Sequence, residues 1–386
     1  MIYLDNAAST QIHEDVLESM IPYLKEQYGN PSSIHRYGRI SHKAIEKARK
    51  QIASLINAEP SEIILTSGGT ESNNTALRGI AMKNPSSQII TSSIEHDAIL
   101  EPCKELSKNG FEVIYLPVDN LGMVDLEYLK STISKKTSLV SIMFGNNEVG
   151  TIQPISEISK ICREHQTPFH TDAVQAIGKN PVDVRELGID MLSISSHKLY
   201  GPKGVGALYV KNGIEFSPFI LGGGQEHGLR SGTENVANIV GFGRACELAK
   251  NNLQENISHI KNLQESLIQQ VLDEIPKVTL NGHPKFRLPP NVHFTFLGVN
   301  GEDLIIKLDE YGIAASTGSA CSVNTQKASH VLQAMGFSHE QITGSLRLTI
   351  GIFNNQKEID RTVDILKKVI SELRAVSPFK EKYSFV

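Results

Sequence analysis

The chain of 386 residues contains no tryptophan, only four cysteines, and no apolar run approaching the roughly 18 residues needed to cross a bilayer. Stretches such as Leu139 to Phe144 have the length of buried strands, not of membrane spans. The start, Met1-Ile2-Tyr3-Leu4-Asp5-Asn6, turns polar at once and lacks a basic leader, so no signal peptide and a cytoplasmic location are expected. Cys103, Cys162, Cys246 and Cys321 are scattered without a C-x-x-C pair. This spacing suggests neither a disulfide framework nor a thiolate metal site, and it leaves any cysteine chemistry to one thiol. Positive charge is not in excess either: 38 Lys and Arg stand against 42 Asp and Glu, for a net charge of −4. No broad basic field is available to a nucleic acid or an anionic membrane. What remains, 40% hydrophobic and 21% charged residues, is ordinary globular usage. The length suffices for about two to three domains.

From residue 60 to 210 short β-rich runs alternate with helical patterns, the mark of βα units and a mostly parallel sheet. Strands are expected at Ile63 to Thr66, Gln88 to Thr91, Phe111 to Leu116, Leu139 to Met143, Pro168 to Thr171, Met191 to Ile194 and Val205 to Val210. Helices are expected at Glu71 to Met82, Asp97 to Ser107 and Ile155 to His165. Leu253, Ile257, Ile260, Leu263, Leu267, Val271 and Ile275 then recur at spacings of three and four, which predicts a long amphipathic helix connecting two domains. Beyond Pro276 a strand at Val292 to Leu297, a helix at Glu302 to Tyr311, a strand at Leu346 to Ile350 and a helix at Glu358 to Ala375 describe a smaller α+β domain.

Several residues carry chemistry in this frame. The turn Thr66-Ser67-Gly68-Gly69-Thr70-Glu71 lies between a strand and a helix, where unpaired N–H groups and the helix dipole favour a phosphate; taken alone, such a turn is more often just a helix start. It matches neither the P-loop nor G-x-G-x-x-G. Asp172 ends an apolar strand, where doubly wound sheets bind ligands, and a carboxylate there suits a cationic ring nitrogen or caps a helix. Lys198, in Ser195-Ser196-His197-Lys198 before Gly201-Pro202-Lys203-Gly204, is a Schiff-base candidate or a solvated loop lysine. His96 lies at the same edge, placed to stack on a flat cofactor, to move a proton, or to cap a helix. Cys321 sits in a small-residue loop, Ser316 to Ser322, from which a thiolate could reach outward; the other three cysteines fall in apolar helical patterns. Arg347, on an apolar strand, offers a fork for a substrate carboxylate or a structural ion pair.

An acid, a lysine, a histidine and a phosphate turn at one sheet edge are what pyridoxal 5′-phosphate requires. With Asn30-Pro31-Ser32-Ser33-Ile34-His35, Asn146-Asn147-Glu148-Val149-Gly150, His170-Thr171-Asp172-Ala173-Val174-Gln175, Arg230-Ser231-Gly232-Thr233 and Gly318-Ser319-Ala320-Cys321, nearly the whole chain resembles the cysteine desulfurases. These are class V aminotransferase-like enzymes of the fold type I pyridoxal phosphate group. The resemblance implies an α/β fold: a mostly parallel, seven-stranded-type sheet in a large cofactor domain, residues 15–255, and a smaller α+β domain of residues 1–14 and 256–386 bearing the cysteine loop.

By the same resemblance, Lys198 holds the cofactor covalently and moves the proton at the substrate α-carbon. Asp172 pairs with the ring nitrogen, Gln175 with the ring hydroxyl, and His96 stacks on the ring. Gly69, Thr70, Ser195 and His197 hold the phosphate, and Thr233 reaches the phosphate of a neighbouring subunit, implying a homodimer. Asn147 and Arg347 bind the carboxylate of L-cysteine, and Cys321 takes its sulfur as a persulfide, leaving L-alanine. The longer cysteine loop points to an iron–sulfur scaffold or tRNA-thiolation route as sulfur acceptor. His227, in Gly224-Gln225-Glu226-His227, stands where the family usually has Arg, and the end after Ser377-Pro378-Phe379 is short. The rival readings are a selenocysteine lyase or aminotransferase of the same fold, a metal-dependent hydrolase using His165, His170 and Asp172, and a sulfur carrier using Cys321 alone.

Overall fold

The computed structural model describes residues 1–85, 87–317 and 328–377; Cys321, its neighbours from Gly318 to Lys327 and the tail from Pro378 lie outside them. Twelve strands are found among the described residues: β1 (Ile2–Tyr3), β2 (Ile63–Thr66), β3 (Gln88–Ser92), β4 (Glu112–Leu116), β5 (Thr137–Ser141), β6 (Phe169–Asp172), β7 (Met191–Ser195), β8 (Gly206–Val210), β9 (Val278–Leu280), β10 (Asn291–Phe296), β11 (Ile313–Ala314) and β12 (Ser345–Thr349). Seven of them form one sheet in the order β2-β8-β7-β6-β5-β3-β4. The pairs from β7 through β6, β5 and β3 to β4 are parallel, while β8 runs antiparallel to both β2 and β7. The sheet is therefore mostly parallel, as expected, and the strands read from the sequence occur with ends displaced by a residue or two.

Every residue of β3, β6, β7 and β8 is buried. Side chains alternate across a strand, so consecutive apolar residues feed opposite faces. Ile90, Val140, Leu192 and Tyr209 enter one core with Ile45, Ile52 and Phe242, whereas Ile89, Leu139, Met191 and Leu208 enter another with Leu77, Ile80 and Ile99. Helices cover both faces, which is why these strands read as continuous apolar runs. The helices Glu14–Lys25, Arg36–Leu55 and Val236–Asn251, absent from the sequence-based expectation, complete the first layer.

A second core surrounds the three-stranded antiparallel sheet β12-β10-β9. It takes Ile260, Leu263, Leu267 and Val271 from the helix Leu253–Glu274, and Ile359, Val363, Leu366 and Ile370 from the helix Gln356–Ala375. The amphipathic stripe predicted for a connecting helix thus packs into this smaller core. Ile2 and Leu4 join it as well: β1 pairs in parallel with β11, and Asp5 bridges to Thr349 of β12. The first residues of the chain are thereby pinned beside nearly its last strand. Among the described residues no helix is long and apolar enough to cross a membrane.

Candidate active site

The parallel strands deliver their carboxyl ends to one edge, and β6 ends there on Asp172, a carboxylate only 8% exposed. Its Oδ2 accepts from Asn73 Nδ2 at 2.6 Å and its Oδ1 from the Val174 N–H at 3.0 Å. Asn73 comes from the buried side of the helix Gly69–Lys83, so the acid is held from two elements and shielded from water. Two residues back, the His170 ring lies between Ser141 Oγ at 2.8 Å and Ser193 Oγ at 3.0 Å, and burial lowers it to about 3. His165 is placed at the end of the helix Ile155–Glu164, and among the described residues no group of three His, Cys, Asp or Glu could hold a metal ion.

Lys198 follows β7 in a single tight turn, Ser196–Lys198. It is no solvated loop lysine: Nζ donates to the Ala7 carbonyl and, at 2.7 Å, to that of Ala8. Ala7 O also accepts from Gln175 Nε2 at 3.0 Å. The next residues of this N-terminal strip continue the lining, with Ser9 Oγ 3.2 Å from His197 Nδ1 and the Thr10 N–H donating to His197 O at 2.9 Å. Burial first, and then the charges of Lys198, Lys203 and Lys179, lower His197 to about 4 and keep its ring neutral. Backbone carbonyls of residues 7 and 8 are thus site groups that sequence reading missed, because every residue type carries one. Lys179, 4% exposed, was missed as well. Burial, with the Lys198 and Arg347 charges, brings its amine down to about 7.

The turn after β2 is built for close approach. Gly68 has φ of 150°, and a Cβ placed there would point toward Ser195 Oγ, 3.8 Å away. Glu71 Oε2 accepts the Ser67 N–H at 2.8 Å, while Arg230 binds the same carboxylate through Nε to Oε1 at 2.8 Å. Burial acts to raise the Glu71 carboxyl, but these bonds outweigh it and leave the group below its usual range. Gly69 and Thr70 occupy the first turn of the helix, and a Cβ on Gly69 would lie 3.7 Å from Ser195 Cβ. Thr233 is exposed and lines a cavity of about 240 Å³ with Ser67 and Arg230. His227 is exposed with φ of 57°, beside the buried Glu226, which forms a two-point ion pair with Arg49.

His96 caps the helix Asp97–Lys108, its Nδ1 accepting the Ala98 N–H at 3.0 Å. That bond fixes the ring and places the neutral imidazole proton on Nε2. The capping alternative of the sequence reading is thus present, and it leaves the rest of the ring unused by the cap. The neighbouring Glu95 is fully buried, and burial pushes it up to about 8. Arg347, on β12, is 3% exposed; its Nη1 donates to Asn147 O at 3.1 Å and its Nη2 lies 2.8 Å from Asp5 Oδ1. The two candidate carboxylate binders are thus brought together, and the structural ion pair foreseen as an alternative is present too. Cys103, Cys162 and Cys246 are buried with raised thiol values, as packing residues are.

These groups fit pyridoxal phosphate: the space facing Gly68 and Ser195 at a helix start suits its phosphate, Asp172 its ring nitrogen and Lys198 its aldehyde. The description Aminotransferase class-V matches residues 2–362. A curated relative from Dictyoglomus turgidum named Cysteine desulfurase IscS is 50% identical over 99% of this chain and 98% of its own. A solved NifS-like protein superposes with a TM-score of 0.91 at 40% identity, covering 96% of this chain and 99% of that one. Another, described as SspA in complex with cysteine, gives 0.82 at 37% identity, covering 92% and 100%. On fold, site and likeness alike, the chain belongs to the class-V aminotransferase family and, within it, to the cysteine desulfurases, which are pyridoxal phosphate enzymes of fold type I.

Proposed function

We propose that the protein converts L-cysteine to L-alanine and carries the removed sulfur as a persulfide on Cys321 to an acceptor, an iron–sulfur scaffold or a tRNA-thiolation protein. The observation that supports this reading is that His96, Asp172 and Lys198 lie at or just beyond the carboxyl ends of β3, β6 and β7 of one sheet, while Arg347 of β12 bonds to the Asn147 carbonyl. Pyridoxal phosphate, when bound, supplies an electron sink for the substrate's α-carbon. Gly69, Thr70, Ser195 and His197 would hold its phosphate, Gln175 its ring hydroxyl, and Thr233 the phosphate of a second copy of the chain. Lys198, once free, moves the proton at the α-carbon, with His96 assisting. Arg347 and Asn147 orient the carboxylate. The Cys321 thiolate attacks the substrate sulfur, so that a sulfur–sulfur bond forms, the carbon–sulfur bond breaks, and protonation of the carbon gives alanine. Substrate thiol and enzyme thiol become alanine and persulfide with no outside oxidant or reductant.

A homodimer is supported by exposed apolar side chains, Ile34, Tyr37 and Leu221, on segments that adjoin one another near Thr233. We divide the chain into residues 15–255 and residues 1–14 with 256–386, a division supported by the two core groups. A cytoplasmic setting is supported by the three described cysteines, which are buried as free thiols.

The test is alanine formation from L-cysteine, with a thiol reductant present, by wild type and Cys321→Ala. Alanine with matching sulfide from wild type alone is expected. Equal alanine from both would transfer the reading to a selenocysteine lyase or aminotransferase, and none from either would end it.

A further inference from the structure

Asp5 is the one charged side chain that the N-terminal strip sends to the guanidinium of Arg347. Its backbone has little freedom. The Leu4 N–H donates to Ala314 O at 2.9 Å, Thr349 N–H to Leu4 O at 2.7 Å, and Ala7 N–H to Thr349 Oγ1 at 2.9 Å. Asn6 Nδ2 adds a bond to Thr349 O at 2.8 Å. Arg347 stands two residues before Thr349, on the same face of β12, and its own N–H donates to Ser316 O at 2.6 Å. The carboxylate and the guanidinium are thus brought together by two fixed stretches of backbone, with side chains 19% and 3% exposed. Asp5 engages one Nη of the fork and the Asn147 carbonyl engages the other.

A ligand carboxylate docking on Arg347 therefore meets a guanidinium whose charge is already shared. It also enters the field of the Asp5 carboxylate, in a setting where charges are poorly screened. The α-carboxylate takes no part in the chemistry and is the same in L-cysteine and L-alanine. Holding it tightly would lower KM without raising kcat, and would hold the product as firmly as the substrate.

We propose that Asp5 is a positioning residue that sets the strength of the carboxylate subsite, fixing the Arg347 fork while offsetting part of its charge, so that alanine is held weakly enough to leave. This rests on the reading of Arg347 as the carboxylate binder of a desulfurase. It assigns to the Leu4-Asp5-Asn6 segment a function in product release that its place at the edge of the smaller core does not reveal.

The experiment titrates holoenzyme with L-alanine, following the visible absorbance of the bound cofactor, for wild type, Asp5→Asn and Asp5→Ala. KM and kcat for L-cysteine and thermal midpoints are measured beside it. Asp5→Asn keeps an oxygen for the fork and removes the charge, so the alanine dissociation constant and the cysteine KM are both expected to fall about tenfold, with kcat not raised. Asp5→Ala is expected to tighten alanine binding less, because the fork loses an anchor. A purely structural role gives the opposite sign. Alanine binding that is unchanged or weaker in whichever variant folds as wild type would overturn the proposal. Wild type that forms no alanine from L-cysteine would instead defeat the underlying desulfurase reading.

Discussion

Asn73 Nδ2 lies 2.6 Å from Asp172 Oδ2, so the acid that would face the cofactor ring is itself steered by a buried amide from a different element. Asn73→Ala removes that donor inside the protein and leaves a carboxylate oxygen short of a partner, at a cost of about 1–2 kcal/mol. Cofactor retention is expected to fall about tenfold while the fold persists. Equilibrium dialysis of pyridoxal phosphate against the variant measures it, and unchanged retention would show that Asp172 needs no steering.

Gly206 of β8 backs directly onto the turn after β2. A Cβ there would lie 2.5 Å from Ile194 O and 2.7 Å from Gly68 Cα, both backbone atoms with no rotamer to yield. Gly206→Ala is expected to destabilise the protein by about 3 kcal/mol and to weaken phosphate binding along with it. The thermal midpoint and the affinity for inorganic phosphate should fall together. A variant as stable as wild type would contradict the packing described.

Glu71 and Arg230 tie the turn after β2 to the loop bearing Thr233. Because the Glu71 carboxyl is lowered in the folded protein, its contribution is complete above the ordinary value of 4.5. It is lost as pH falls through the lowered value. Arg230→Ala leaves a largely buried carboxylate uncompensated and is expected to cost about 2 kcal/mol at neutral pH, less in acid. Thermal midpoints at pH 7 and pH 4 should show the difference between variant and wild type shrinking. A constant difference would refute the assignment.

His170 is held near 3 by burial, against an ordinary value of 6.5. The unfolded chain takes up a proton that the folded one refuses, so stability is fully present above pH 6.5. It declines below that value by up to about 1.4 kcal/mol per pH unit, until the folded value near 3 is reached. His170→Asn is expected to be less stable at pH 8 but flatter between pH 6 and pH 4. Denaturant midpoints across that range supply the comparison, and parallel curves for the two proteins would rule the histidine out.

The parallel strands were legible because helices cover both faces, so that Ile89-Ile90 or Met191-Leu192 supplies two cores at once. The helix Val236–Asn251 was not legible, since Gly241 and Gly243 interrupt its pattern. A Cβ on Gly243 would come 2.6 Å from Ala48 Cα, so the residue that hides the helix from sequence reading is the one that lets it pack. Of the candidate site, the places of Asp172, Lys198 and His96 at or just beyond strand ends were legible because motif and strand end coincide. Asn73, Glu71–Arg230 and the Ala7 carbonyl were hidden, because their roles follow from partners 99, 159 and 191 positions away.

The strip from Asp5 to Thr10 is made before its partners Lys198 and Thr349, which follow by about 190 and 342 residues. The large sheet can assemble while translation continues, but the bonds that fix Leu4, Asn6 and Ala7 to Thr349 wait for β12. A chain cut short of β12 therefore carries Asp5 without Arg347, and the Ala7 and Ala8 carbonyls that accept from Lys198 are held by fewer bonds.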